Sequence, residues 1–286
     1  MKSVKLFLLT LIIVCFINLH NANAQYKFSE IATVSVELTL VQNQLFKDVI
    51  AKDKEVMLNN KVKRIHFNNS RGEVQYLYNK NGQITEFSIT DKDGDKTFET
   101  FEYDANNNPV KYFYGTQQND KIDGVTYFYK YDEKGRMINA TTDQNVMMSP
   151  AKDYTIVYYN KNFPDAPGAI RYYKGNKTPE GTSMIESPLY ESVIESDDKG
   201  RITLVIDKDK KEMIKNVYTE SGVNVSYLGD DFITKYTIKD NVITHIEDNF
   251  TATDFTYKDN GLLDVIKLTL IEDKTEKTFN LEYEFY

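Results

Sequence analysis

A chain of 286 residues with 43 acidic and 35 basic side chains carries a net charge of −8. Nucleic acid is excluded as a natural partner, because that binding rests on clustered Lys and Arg neutralising phosphates. One cysteine excludes a disulfide framework, while 21 Tyr and 16 Phe, interspersed with Val, Ile and Thr, favour strands.

The first segment reads as a secretory signal peptide over residues 1–24. Met1 to Lys5 is a basic start, Leu6 to Leu19 is mostly apolar, and Ala22-Asn23-Ala24 is an A-x-A cleavage site before Gln25. Cys15 lies inside the apolar run behind the bulky Val14, where a lipid-modification site takes a small residue. Cleavage therefore leaves no cysteine and removes Lys2 and Lys5, making the chain more acidic. The expected location is secreted or periplasmic, and no later stretch is apolar for the roughly 18 residues of a membrane helix.

Residues 25–60 form an N-terminal segment with helical character. Val34, Leu38, Val41, Leu45 and Val49 share one face of a helix, opposite Thr39, Asn43 and Lys47, which predicts a helix within 29–51. Ala32 to Leu38 also alternates, as an opening strand would.

From residue 61 to 286 the chain repeats itself. Tyr129-Lys130-Tyr131-Asp132-Glu133-Lys134-Gly135-Arg136-Met137-Ile138 is the clearest copy: alternating aromatics, an Asp, a Gly, then apolar residues, the chemistry of strand, tight turn, strand. Tyr76 to Ile84, Phe101 to Val110, Tyr158 to Gly168, Asp197 to Ile202, Thr219 to Gly222, Lys239 to Asn241 and Phe255 to Leu262 are looser copies. In the Phe101 copy Asn replaces Gly, and Asn tolerates the left-handed backbone such turns use. About eighteen strands follow from this spacing. Longer polar connections are expected at 91–96, 115–124, 142–152, 175–188, 248–253 and 272–277. Pro150, Pro164, Pro167, Pro179 and Pro188 mark an irregular insertion at about 143–190. The predicted fold is all-β: an antiparallel meander of repeated β-hairpins forming a long curled sheet or barrel-like structure, with a short N-terminal helix.

These copies resemble the YD-repeat proteins of the bacterial Rhs type, whose consensus is met almost completely by Tyr129 to Met137. The resemblance covers most of residues 70–262 and implies a fold rather than a catalytic group. The large members enclose a toxin in a hollow shell. This chain departs from them in length, and it lacks both their core-domain signature and a C-terminal toxin segment.

Residues that could carry chemistry are sparse. His66 and His245 sit in alternating strands, without a ligand cluster around them. Asp197-Asp198 and Asp230-Asp231 are acidic pairs of the kind a carboxylate-dependent hydrolase would need, but such pairs more commonly belong to turns. Asp91, Asp93, Asp95, Thr97, Glu99 and Glu102 match the oxygen spacing of a calcium loop. Lys96 stands where its sharp-turn glycine belongs, so the segment reads as a hairpin around Asp93-Gly94. Tyr76, Tyr78, Tyr112, Tyr114, Tyr127, Tyr129 and Tyr131 recur at period two, an aromatic ladder suited first to packing and second to a sugar ring or protein partner.

No catalytic, cofactor-binding or metal-binding residue is therefore assigned, and no cofactor is implied. The expected function is a non-enzymatic binding protein for an envelope or extracellular partner, glycan or protein. An outer-membrane β-barrel is the main rival, with membrane insertion not favoured. Phe279, Leu281, Tyr283 and Phe285 alternate before the terminal aromatic as a barrel's last strand would. Against it stand short strands and charges such as Glu86 and Asp264, placed by period two on the faces of Ile84 and Leu262.

Overall fold

A computed structural model describes residues 40–41, 43–69, 72–144, 152–175, 190–207, 209–227 and 232–286. The predicted signal segment with Cys15, the acidic pair Asp230-Asp231 and the predicted helix positions before residue 40 lie outside them. Among the described residues the protein is all-β: a meander of 19 antiparallel strands preceded by a short helix. Two compact units divide the chain, one of Lys61–Val193 with Glu282–Tyr286, the other running up to Asn60 and over Ile194–Leu281.

In the first unit the strands are β1 (Val62–Asn68), β2 (Gly72–Tyr78), β3 (Ile84–Asp91), β4 (Lys96–Tyr103), β5 (Pro109–Gln118), β6 (Lys121–Tyr131), β7 (Met137–Gln144), β8 (Lys152–Tyr159), β9 (Pro167–Gly175) and the start of β10 (Tyr190–Ser196). Each pairs with the next, and β19 (Glu282–Phe285) returns from the C-terminus to pair with β1.

Two segments are more regular than expected. Residues 115–124 form a hairpin with a two-residue turn, because Asn119 (φ 46) and Asp120 (φ 67) both accept the left-handed backbone that tight hairpins demand. Strands β8 and β9 occupy residues 152–175 of the segment read as irregular. Pro167 takes the first position of β9, where no ladder donor is required of it.

The second unit holds α1 (Lys47–Asn59), the end of β10, β11 (Ile202–Ile206), β12 (Glu212–Tyr218), β13 (Gly222–Tyr227), β14 (Phe232–Lys239), β15 (Val242–Glu247), β16 (Thr251–Tyr257), β17 (Leu263–Leu270) and β18 (Glu276–Asn280). The helix continues to residue 59, beyond the predicted 51. Phe46 and Ile50 are buried at its start and Val56 and Met57 in its last turns. Side chains tie it to the sheet at both ends. Gln44 donates to the Gly200 carbonyl at 2.7 Å and accepts from the Ile202 amide at 2.8 Å, while Asn60 and Asn260 exchange hydrogen bonds. Between them the Phe46 ring meets Tyr236 edge-on at 4.9 Å.

The repeat is explained by its turns. Asp132 Oδ1 accepts the amides of Lys134 and Arg136, both at 2.9 Å, and Gly135 closes the turn at φ 74 by donating to the Asp132 carbonyl. Arg136 then bonds Asp132 Oδ2 through Nε at 2.7 Å and lays its guanidinium over the Tyr159 ring. Asp197 and Arg201 repeat this arrangement under Tyr218. Burial opposes ionisation of Asp132 and Asp197, but the arginine and amide hydrogen bonds win and hold both below the usual carboxylate range.

A second element locks neighbouring hairpins. Tyr103, Tyr159, Tyr218 and Tyr257 donate to the carbonyls of Ile84, Met137, Ile202 and Ile243 at 2.6, 2.9, 3.0 and 2.8 Å. Each acceptor is the buried residue that follows a turn.

The turns before Ile84, Met137 and Ile243 are also accompanied by a register shift, as between Leu77 and Tyr78 opposite Ile84 and Glu86. That bulge moves one residue out of the alternation. Glu86 consequently lies on the face opposite Ile84, where it meets Lys96 at 2.6 Å, and not on the same face as period two suggested. In both units the apolar side is buried and the other side carries ion pairs: Arg64 with Glu73 and Glu284 in one, Lys235 with Glu247 and Lys267 with Glu276 in the other. The final alternation is split at Leu281 between β18 and β19. Of Phe279, Leu281, Tyr283 and Phe285 only Leu281 is buried, and Phe285 is exposed and stacks on Tyr283.

Candidate functional site

Register places one acid in an apolar line. Directly opposed residues share a face, and the pairs Tyr283–Ile65, Ile65–Tyr76, Tyr76–Phe87, Phe87–Glu99, Glu99–Tyr114 and Tyr114–Val125 run across neighbouring strands of the first unit. Glu99, in the middle of β4, is 7 % exposed. The next line carries Phe101, Tyr112 and Tyr127, whose rings follow one another at 5.2 and 5.6 Å. Tyr112 lies diagonal to Glu99 across the β4–β5 pairing, on the same face.

Burial dominates the electrostatics of this cluster. Loss of solvent pushes the Glu99 carboxyl up to about 8, against which the neighbouring Tyr112 hydroxyl works only partly. Burial first and the Glu99 charge second hold the phenols of Tyr76, Tyr112 and Tyr114 above their ordinary value; for Tyr129, Tyr127 adds to the effect of burial ahead of Glu99. Among the described residues no cation forms a salt bridge with Glu99, and the Tyr76 hydroxyl is buried without a hydrogen-bond partner. Tyr76, Phe87, Tyr127 and Tyr129 close the cluster on the β2, β3 and β6 sides, whereas Phe101, Tyr112 and Tyr114 remain partly exposed. The face is sealed around the acid and open along β4 and β5.

The remaining sequence-predicted positions do not converge on this cluster. In the calcium-like segment Asp91 Oδ1 accepts the amides of Asp93 and Asp95 as a turn-former, Asp95 receives Gln118, and Glu102 pairs with Lys111. Thr97 belongs to β4, as does Glu99, whose side chain lies on the buried face. Among the described residues no group of three or more His, Cys, Asp or Glu is placed to hold a metal. His66 lies near Glu73 and Glu282, and His245 contacts Asp254 at 2.7 Å beside Glu247. Asp197 serves its turn. Of the tyrosine ladder, Tyr76, Tyr78, Tyr127 and Tyr129 are core residues, as the packing reading expected.

Sequence reasoning missed Glu99 as a site residue because Lys96 to Tyr103 places polar and aromatic side chains on both faces. Only the pairing with Phe87 and Tyr114 tells which face is buried. A second buried acid escaped for a similar reason. Burial pushes Asp53 on α1 up to about 7, and its Oδ2 lacks a hydrogen-bond partner.

No family model and no curated relative matches the chain. Among solved structures it is similar to a porin-like protein from Bacteroides uniformis ATCC 8492, at 13% identity and TM-score 0.37, over 79% of this chain and 97% of that one. It is also similar to TcdB2-TccC3-TEV, at 13% identity and TM-score 0.29, over 74% of this chain. TcdB2-TccC3 without its hypervariable C-terminal region gives 12% identity and TM-score 0.29 over 71%. The chain covers only 15% and 14% of those two chains. Likeness at these levels assigns no family.

Proposed function

We propose that the protein is a secreted or periplasmic, non-enzymatic YD-repeat-like protein that binds an envelope or extracellular partner, glycan or protein, at the tyrosine-lined face of its first unit. The observation that carries this reading is the partial exposure of Phe101, Tyr112 and Tyr114 beside the buried rings of Tyr76, Phe87, Tyr127 and Tyr129. Flat rings edged by hydroxyls suit the apolar faces and hydroxyls of a sugar, or the side chains of a protein. The A-x-A signal pattern supports export. A lipid-facing barrel is disfavoured by the charge distribution: its apolar residues would point outward, whereas here the apolar side of each unit is buried and the exposed side is laced with ion pairs.

Two measurements test the proposal. Membranes washed with carbonate and no detergent should release the intact protein; recovery only with detergent, in a heat-modifiable form, would replace this reading with the outer-membrane barrel. Because Trp is absent, emission comes from tyrosine alone, and comparison with Tyr112→Ala isolates the share of the face. Titration with solubilised cell-envelope fragments should change that emission, and Tyr112→Ala should weaken the response at least tenfold. An unchanged response in Tyr112→Ala would remove the face from the binding mechanism.

A further inference from the structure

We propose that Glu99 and the rings around it form a seat for a compact organic ammonium group, so that the ligand of the tyrosine face is one bearing such a cation. The inference rests on the binding role given to that face and specifies its chemistry. A carboxyl opposed by Phe87 on one strand and Tyr114 on the other has two ways to be neutralised: a proton, or a cationic guest. The surroundings suit the guest. Aromatic faces attract cations through their quadrupoles, and rings gathered about a carboxylate are the arrangement that recognises substituted ammonium groups. The hydroxyl of Tyr76, 1 % exposed and without a hydrogen-bond partner, is an acceptor close enough to Glu99 to feel its charge. Approach is along β4 and β5, past Phe101, Tyr112 and Tyr114, since the β2, β3 and β6 sides are closed.

Binding is coupled to release of the Glu99 proton. The other titratable groups facing Glu99 are phenols: Tyr76 from β2, Tyr112 and Tyr114 from β5 and Tyr129 from β6, all held above their ordinary value and neutral through the physiological range. β3 contributes only Phe87. The pH dependence of binding should therefore belong to one carboxyl, rising below its folded value near 8 and levelling above it.

The test titrates the purified mature protein at constant ionic strength between pH 6 and 9 with choline, glucosamine and an Nα-blocked lysine amide, with glucose as the neutral control, following tyrosine emission. Choline's permanent charge isolates the protein's own titration. Its affinity should rise about tenfold per pH unit below pH 8, and Glu99→Gln should remove both the slope and at least tenfold of the affinity at pH 8. Tyr112→Phe, which keeps the ring but removes a hydroxyl that favours the charged carboxyl, should move the rise in affinity to higher pH without abolishing binding. Which arm binds tightest identifies the source as a quaternary headgroup, an amino sugar or a lysine side chain. No binding by any cation, or equal binding by Glu99→Gln with its fold intact by circular dichroism, overturns the ammonium seat. Envelope fragments that still depend on Tyr112 but ignore Glu99 and pH would leave the face as a binding surface without it. Indifference to Tyr112→Ala would remove the face itself.

Discussion

The two units are built from the same hairpin repeat, yet they finish their apolar faces differently. In the second, Ile202, Val205, Ile214, Val223, Val225, Ile243, Ile246, Leu263 and Ile266 make an aliphatic face, and α1 packs on the sheet with its ends tied through Gln44 and Asn60. The first has no helix of its own among the described residues. Tyr76, Tyr78, Phe87, Tyr127 and Tyr129 are buried among its aliphatic side chains, a carboxyl sits with them, and the β4–β5 side stays partly open. Aliphatic burial with a helical cover stabilises without offering a surface. Aromatic burial around an acid is less favourable, which is why the first unit holds the candidate site.

The largest test of this contrast is pH. A carboxyl at its ordinary value in the unfolded chain and near 8 in the fold keeps its proton longer in the folded state, so the fold is favoured at low pH. Stability from this group is complete below about pH 4.5 and is lost as pH rises towards 8, by up to about 3–5 kcal/mol at the usual 1.36 kcal/mol per unit. Urea unfolding of the parent should show this fall between pH 5 and 8.5, with Asp53 adding to it below about pH 7, and Glu99→Gln should reduce it throughout and most completely between pH 7 and 8.5. Equal slopes in the two proteins would place Glu99 in solvent rather than among the rings.

A comparable loss should follow from uncovering the second unit. Phe46 is 1 % exposed against Tyr236, so Phe46→Ala removes a buried ring and leaves a void, costing about 3–5 kcal/mol. Thermal unfolding measures it. A loss below 1 kcal/mol would mean that the helix is not an integral cover of that sheet.

How far the sequence carried this comparison depends on what sets each feature. Turn chemistry is local, so Asp132, Gly135 and Arg136 announced their hairpin and the all-β meander with them. Faces are set by register, and register shifts beside several of the tight turns, including the one before Ile84. Period two therefore put Glu86 beside Ile84, and gave no means of aligning Glu99 with Phe87 and Tyr114. The Asn119-Asp120 hairpin was hidden by polarity: its strands expose most of their residues and look like a loop, although two adjacent left-handed residues define the turn. The extent of α1 depended on Val56 and Met57 meeting the sheet, a tertiary fact that helical periodicity in 29–51 does not contain.

A smaller effect tests the turn that both units share. Gly135 has φ 74, and an added Cβ would meet only Asn108 Oδ1 at 3.7 Å, so space is not the constraint. Gly135→Val should cost about 1–2 kcal/mol from backbone strain alone. Gly135→Asn should recover much of it, since Asn107 takes the same backbone at the same point of its own hairpin with φ 66. Urea midpoints of the two variants that coincide with each other would show that side-chain packing, not φ, governs the position.

The smallest expected change separates a hydroxyl that works from one that does not. Tyr103 donates to the Ile84 carbonyl at 2.6 Å, so Tyr103→Phe leaves a buried acceptor short of a donor and should cost about 1 kcal/mol. Tyr131 holds the equivalent place in the next hairpin, yet its hydroxyl is buried without a partner. Its cost is already present in the folded protein, because a buried polar group lacking a hydrogen bond has given up water for nothing. Tyr131→Phe should therefore be neutral or stabilising by up to about 1 kcal/mol, although Tyr131 belongs to the copy that best matches the repeat consensus. The two variants differ by one oxygen each and sit one hairpin apart, so urea midpoints measured together cancel most systematic effects. Equal losses in both would mean that the repeat tyrosine is kept for its hydroxyl everywhere. Loss in Tyr103→Phe alone would mean that the ring defines the repeat, with the hydroxyl bond added where the neighbouring turn offers a carbonyl.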